Sequence, residues 1–131
     1  MKKTFELEFP FKADEPSLNG RIYPRTVLEK ALNEKQQAIV ERRMLGELGK
    51  DTVRVRLGHS SHLITGLRLV DGVVKGDVEV LPTEAGKLLQ VLRDDDIQLE
   101  LCPVGQGDVD PETGVISNYT LHFVNITQKD E

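Results

Sequence analysis

The stretch from Leu63 to Leu81 constrains this chain most, because two apolar-rich runs are separated there by only Asp71-Gly72. Asp-Gly supplies the positive φ values that a two-residue hairpin turn demands, and the flanking residues are the β-branched and aliphatic types of strands. The spacing predicts an antiparallel hairpin of Leu63–Val70 and Val73–Leu81. A lone hairpin is not stable in water, so further elements must cover or extend it.

Those elements are visible as periodicities. Phe5, Leu7 and Phe9 alternate with Thr4, Glu6 and Glu8, a half-buried strand that Pro10 is expected to close, and a polar loop to Asn19-Gly20 follows. After Pro24, the residues Val27, Leu28, Ala31, Leu32, Lys35, Ala38 and Ile39 share a stripe at helical spacing, which predicts one helix to about Arg43 with Gly46 as its stop. Val53, Val55 and Leu57 suggest a short strand before the turn Gly58-His59-Ser60-Ser61-His62. Pro82-Thr83-Glu84 opens a second helix with Thr83 as its cap and Ala85, Leu88, Leu89 and Leu92 on one face; Asp94-Asp95-Asp96 ends it. Three carboxylates at a helix C-terminus oppose the macrodipole, so they must be solvated or neutralised by a partner. Ile97, Leu99 and Leu101 alternate with Gln98, Glu100 and Cys102, Gly105-Gln106-Gly107 loosens the chain, and Val115–Thr127 reads as a last strand after the Asp110–Gly114 turn. The expected fold class is α+β, a mostly antiparallel, barrel-like sheet with two flanking helices in a single domain, 1–131.

Composition removes several function classes. The 131 residues carry 17 Lys and Arg against 22 Asp and Glu, a net charge of −5, and no Trp. General attraction to phosphate and an aromatic platform for bases are both missing, so no nucleic-acid partner is expected. Glu6 and Glu8 interrupt the N-terminal apolar run, and no stretch approaches the roughly 20 apolar residues of a membrane span, so no membrane partner is expected either.

Chemistry-bearing residues are few. Cys102 is the sole cysteine, and the histidines are His59, His62 and His122. A thiol nucleophile needs a nearby base or cation, so a dyad of Cys102 with a histidine, His62 or His122, is the nucleophilic arrangement these residues offer. The simpler reading makes Cys102 a small buried hydrophobe and the loop histidines solvated groups. His59-x-x-His62 offers two ligands where zinc wants three or four, so no metal and no cofactor are expected.

Several segments, in order, resemble the prohead core proteases of tailed bacteriophages, whose fold is similar to the herpesvirus assemblin protease. Asn19-Gly20-Arg21-Ile22-Tyr23-Pro24 with Val27-Leu28-Glu29-Lys30-Ala31 is similar to the family's N-x-R-x-Y-P-x-x-x-L-E-x-A segment, and Met44-Leu45-Gly46-Glu47-Leu48 resembles its A-L-G-E-L. Ser61-His62-Leu63-Ile64 resembles its V-S-H-I-I. The hairpin residues Gly76 and Val78 correspond to its x-V-x-G-x-x-x-I-L strand, and Thr83, Gly86 and Lys87 to its T-P-x-G-K helix. Leu99–Gly107 sits where the family has L-G-V-S-S-R-G-x-G.

The resemblance implies site positions as well as a fold. The family's nucleophilic serine falls on Cys102, its histidine base on Lys50, and the acidic member found in some relatives on Asn125, so all three differ here. Pro103 and Val104 replace the serine and arginine that follow the nucleophile, removing a backbone N–H and a cation. The resemblance therefore implies a catalytically degenerate prohead-protease fold, kept as a structural or assembly protein of a phage head. It would bind major capsid or scaffold proteins, or copies of itself, in the host cytoplasm during assembly and in the virion afterwards. The rival expectation is an active maturation protease with Cys102 in place of the serine, His62 or His122 as base and Glu47 or Lys50 in support; a third is a small host or prophage binding module. The protease-like core nearly fills the 131 residues, so the expected chain is a core without the longer flanks of active relatives.

Overall fold

The computed structural model describes residues 3–50 and 54–129. Its elements are strand β1 (Thr4–Lys12), helices α1 (Arg25–Asn33) and α2 (Gln36–Val40), the two-residue strand β2 (Leu45–Gly46), strands β3 (His62–Val70) and β4 (Val73–Val80), helix α3 (Glu84–Asp94) and strands β5 (Leu99–Val109) and β6 (Ile116–Gln128). Four strands form one antiparallel sheet in the order β1-β4-β3-β2, and β5 and β6 form a second. The result is the expected α+β architecture, a curled antiparallel half-barrel flanked by short helices. Among the described residues no helix is long and apolar enough to cross a membrane.

The hairpin forms as its sequence dictates. Asp71 and Gly72 both adopt positive φ, 50° and 82°, the mirror-image turn that matches strand twist, and Val70 pairs with Val73. Leu67, Val74 and Val78 bury their side chains, and Leu101 of β5 packs over Gly76, where a β-carbon would stand 2.7 Å from its Cδ1. Gly76 therefore lets the second sheet lie close on the first.

Five local expectations are corrected. Pro10 does not close β1, which continues to Lys12 through an irregular register after Glu8; β1 is an edge strand, where a missing N–H breaks no ladder. The first helix divides at Glu34-Lys35, because the Leu32 carbonyl accepts from Lys35 N (3.1 Å) and the Gln36 side chain (3.0 Å) in place of a continuing ladder. Its stop is Arg42 and not Gly46: Arg42 takes φ 58°, and Arg43 N reaches back to Ala38 O at 2.9 Å. The left-handed arginine costs about 1 kcal/mol, offset by a bidentate pair from its guanidinium to buried Glu79 (2.7 and 3.1 Å). Val55 lies in no strand and Leu57–His59 form a single 3-10 turn, while Val53 lies outside the described residues. Finally, Gly105-Gln106-Gly107 belong to β5, which absorbs them with two bulges against β6.

Helix α3 starts where expected, with the Thr83 hydroxyl accepting from Gly86 N at 2.9 Å. Its buried residues are Gly86 and Leu89, and Leu88 is exposed against expectation. A β-carbon on Gly86 would lie 1.8 Å from the Leu81 carbonyl oxygen. Helix propensity alone predicts that Gly86→Ala gains about 1 kcal/mol. The close approach predicts instead a loss above about 3 kcal/mol, read as a lower urea midpoint, whereas Leu88→Ala changes the midpoint little.

Candidate functional site

The site is built where β6 meets the chain leaving β2. Gly49 N donates to Ile126 O (2.9 Å) and Ile126 N to Glu47 O (3.1 Å), so residues 47–49 run beside β6 and carry Lys50 to the rim of a cleft. That cleft, about 470 Å³, is lined by Phe11, Leu18, Arg21, Tyr23, Lys50 and Cys102 among others. Cys102 pairs with Asn125 across the β5–β6 ladder, and directly opposed residues point to the same face. Lys50, Cys102 and Asn125, distant in sequence, thus come together.

Cys102 and Asn125 differ in burial and in their polar surroundings. Cys102 is half-buried, and burial pushes its thiol up; the Lys50 ammonium pulls it down and Glu100 pushes it up again, with a net rise. Asn125 is fully buried. Its Oδ1 accepts from Glu47 N at 2.9 Å, and its Nδ2 has no hydrogen-bond partner among the described residues.

Neither histidine joins this group. His62 is fully buried on β3, with Nδ1 2.7 Å from Ser61 Oγ and Nε2 2.9 Å from the Val124 carbonyl oxygen. A carbonyl only accepts, so Nε2 carries the proton and the hydroxyl of Ser61 donates to Nδ1. Burial drives the ring's pKa down to about 4, with the Val124 bond opposing, so the ring is neutral at pH 7. His122 is exposed on β6 at a bulge, between Leu121, which pairs with Gly105, and Phe123, which pairs with Val104. No hydrogen bond links either ring to Cys102 among the described residues.

Glu47 is also committed elsewhere. Its buried carboxylate accepts from the Arg56 guanidinium (2.9 Å) and the Arg56 backbone N–H (2.7 Å), and these bonds hold it below the usual carboxylate range despite burial. Sequence reasoning missed this clamp and the Ser61–His62–Val124 chain. The signal available was the polar Ser-Ser-His run directly before an apolar strand, where buried polar groups must find partners.

A half-barrel with a cleft at the β5–β6 ladder, fed by the segment after β2, has the fold of the phage prohead-type proteases. The chain superposes on the capsid assembly protease of bacteriophage T4 with a TM-score of 0.85 and 20% sequence identity, covering 97% of this chain and 82% of that one. No protein-family model matches the sequence, and no curated protein matches it.

Two measurements check this site. The unfolded chain protonates His62 near its ordinary 6.5, the folded one only near 4. This stability is therefore complete above pH 6.5 and falls away as pH drops towards 4, by about 3 kcal/mol for a single fully buried ring. The His62 Cε1 proton resonance should not titrate between pH 8 and about 5; titration near 6.5 would contradict the buried neutral ring. Alkylation of Cys102 should be slow at pH 7 and rise only in the alkaline range. Lys50→Met should shift that profile higher still, because it removes the one group that favours the thiolate.

Proposed function

We propose that this chain is a head-assembly component of a tailed phage, built on a protease fold, that binds major capsid or scaffold proteins without cutting them. The observation that carries the reading is a cleft thiol with no hydrogen-bonded imidazole among the described residues, while His62 spends both ring nitrogens on Ser61 and Val124. A thiol raised by burial is largely protonated at neutral pH. Lys50 remains an ammonium unless strongly desolvated, and Asn125 carries no charge to stabilise an imidazolium. Pro103 offers no N–H to an oxyanion and Val104 no cation. Each such loss costs a factor of about 10²–10⁴ in rate.

In this reading residues 1–131 work as one prohead-protease-like domain, in the host cytoplasm during assembly and in the head afterwards. The likeness to a protein described as a capsid assembly protease supports the assembly setting. The net charge of −5 favours protein partners over nucleic acid. A cysteine endopeptidase is the second reading, favoured by Lys50 and Cys102 lining one cleft.

Co-expression with the major capsid and scaffold proteins of the same phage separates the two. The expected result is intact partners that co-sediment with this 14.7 kDa chain. Cleavage of either partner that disappears in the Cys102→Ala variant would overturn the proposal in favour of the endopeptidase.

A further inference from the structure

Helix α3 is thinly held for an element so apolar. Of its eleven residues Gly86 and Leu89 are buried, while Leu88 and Val91 are 52% and 62% exposed. Half-buried Leu92 extends this patch into a shallow apolar groove shared with Leu48, Ile97, Leu99 and Ile126. Single exposed apolar residues need no explanation, but Leu88, Val91 and Leu92 are spaced by three and four and so adjoin on one side of the helix.

The charges around the patch are polarised along the helix. Lys87 lies one turn before Val91, and Asp94 and Asp95 lie one turn after it. Among the described residues no ion pair neutralises Lys87 or any of Asp94, Asp95 and Asp96; Asp94 accepts only from the Gln90 amide at 2.8 Å. These carboxylates also stand at the negative end of their own helix dipole.

We propose that α3 is a self-pairing surface, where two copies of this chain meet about a two-fold axis with their α3 helices antiparallel. The pairing lays Leu88, Val91 and Leu92 of one copy on those of the other. It sets each Lys87 beside the partner's Asp94 and Asp95, so two ion pairs form from one charge pattern. Each acidic end moves from the negative pole of its own helix towards the positive pole of the neighbouring one. A second copy supplies this complement by symmetry, since the face carries an apolar centre with a cation at one end and carboxylates at the other. Glu84 is the charge the pairing sets nearest the partner's acidic end, at the wet margin, which makes the dimer weak. Thr83 capping, the packing of Gly86 against Leu81 and the stacking of Arg93 over the Phe5 ring at 4.1 Å fix the helix for docking.

Sedimentation equilibrium of the full chain, up to about 100 μM in low salt, tests this without reference to cleavage or capsid partners. The expected result is a reversible dimer that Val91→Glu weakens by at least about tenfold, with circular dichroism and urea midpoint retained. Lys87→Glu alone, and Asp94→Lys with Asp95→Lys, should each weaken the dimer, and the three together should restore it. A monomer throughout, a dimer indifferent to Val91→Glu, or failure of the combined charge exchange to restore pairing would overturn the proposal. So would a monomeric wild type whose Val91→Glu variant loses capsid-protein binding, which would assign the face to that partner instead.

Discussion

Gly46 sits at the joint where the two sheets meet. A β-carbon there would lie 2.3 Å from both His62 Nε2 and the Val124 carbonyl oxygen, so glycine is what lets the imidazole reach β6. Around it the chain from Met44 to Gly49 threads between the two sheets. On one side the Ile64 and Ser61 amides donate to Met44 and Gly46 carbonyls; on the other Ile126 and Gly49 exchange bonds with Glu47 and Ile126 carbonyls. The segment from Met44 to Gly49 thus hydrogen-bonds to both the hairpin sheet and the β5–β6 ladder, and it carries Lys50 to the cleft.

That joint decides what chemistry remains. A ring whose proton bridges to a backbone carbonyl, and whose other nitrogen takes a serine hydroxyl, acts as a tie between strands and has no lone pair left for a thiol. Glu47 is likewise held by Arg56 and gives its N–H to Asn125. At position 125 a neutral amide suits a fully buried site in which only one polar atom is satisfied; a carboxylate there would leave a buried charge short of donors. The polar groups nearest β6 are committed to holding it, and the exposed side of the cleft retains Cys102 and Lys50.

Much of this fold was legible because local rules sufficed. Asp71-Gly72 between two apolar runs could only be a tight hairpin, Thr83 three residues before Gly86 made a cap, and Val115–Thr127 alternated long enough to be a strand that the structure places at Ile116–Gln128. What failed depended on hydrogen bonds and pairings that apolar spacing does not register. The break at Lys35 answers to the bonds its neighbours make to the Leu32 carbonyl, and the left-handed Arg42 to Glu79, 37 residues away. Pro10 and Gly105-Gln106-Gly107 read as interruptions, yet an edge strand and a bulged ladder tolerate both. In the site, the ordered resemblance brought Lys50, Cys102 and Asn125 to one place. The commitment of His62 was hidden because its partner is a backbone carbonyl, which leaves no trace in side-chain spacing.

Periodicity says which residues share a face and not what covers it, and α3 shows the difference. Its apolar spacing is that of a core helix, yet the space beneath it is filled by Gly86 and Leu89 because the Leu81 carbonyl and the Ser61 backbone approach so closely. A helix drawn in by a glycine contact turns its larger side chains outwards, which is how Leu88 and Val91 come to solvent. The same closeness that seats α3 on the joint around Gly46 and Ser61 therefore creates the apolar surface. Leu88 and Val91 thus owe their exposure to the way the helix is seated and not to any failure of its apolar spacing.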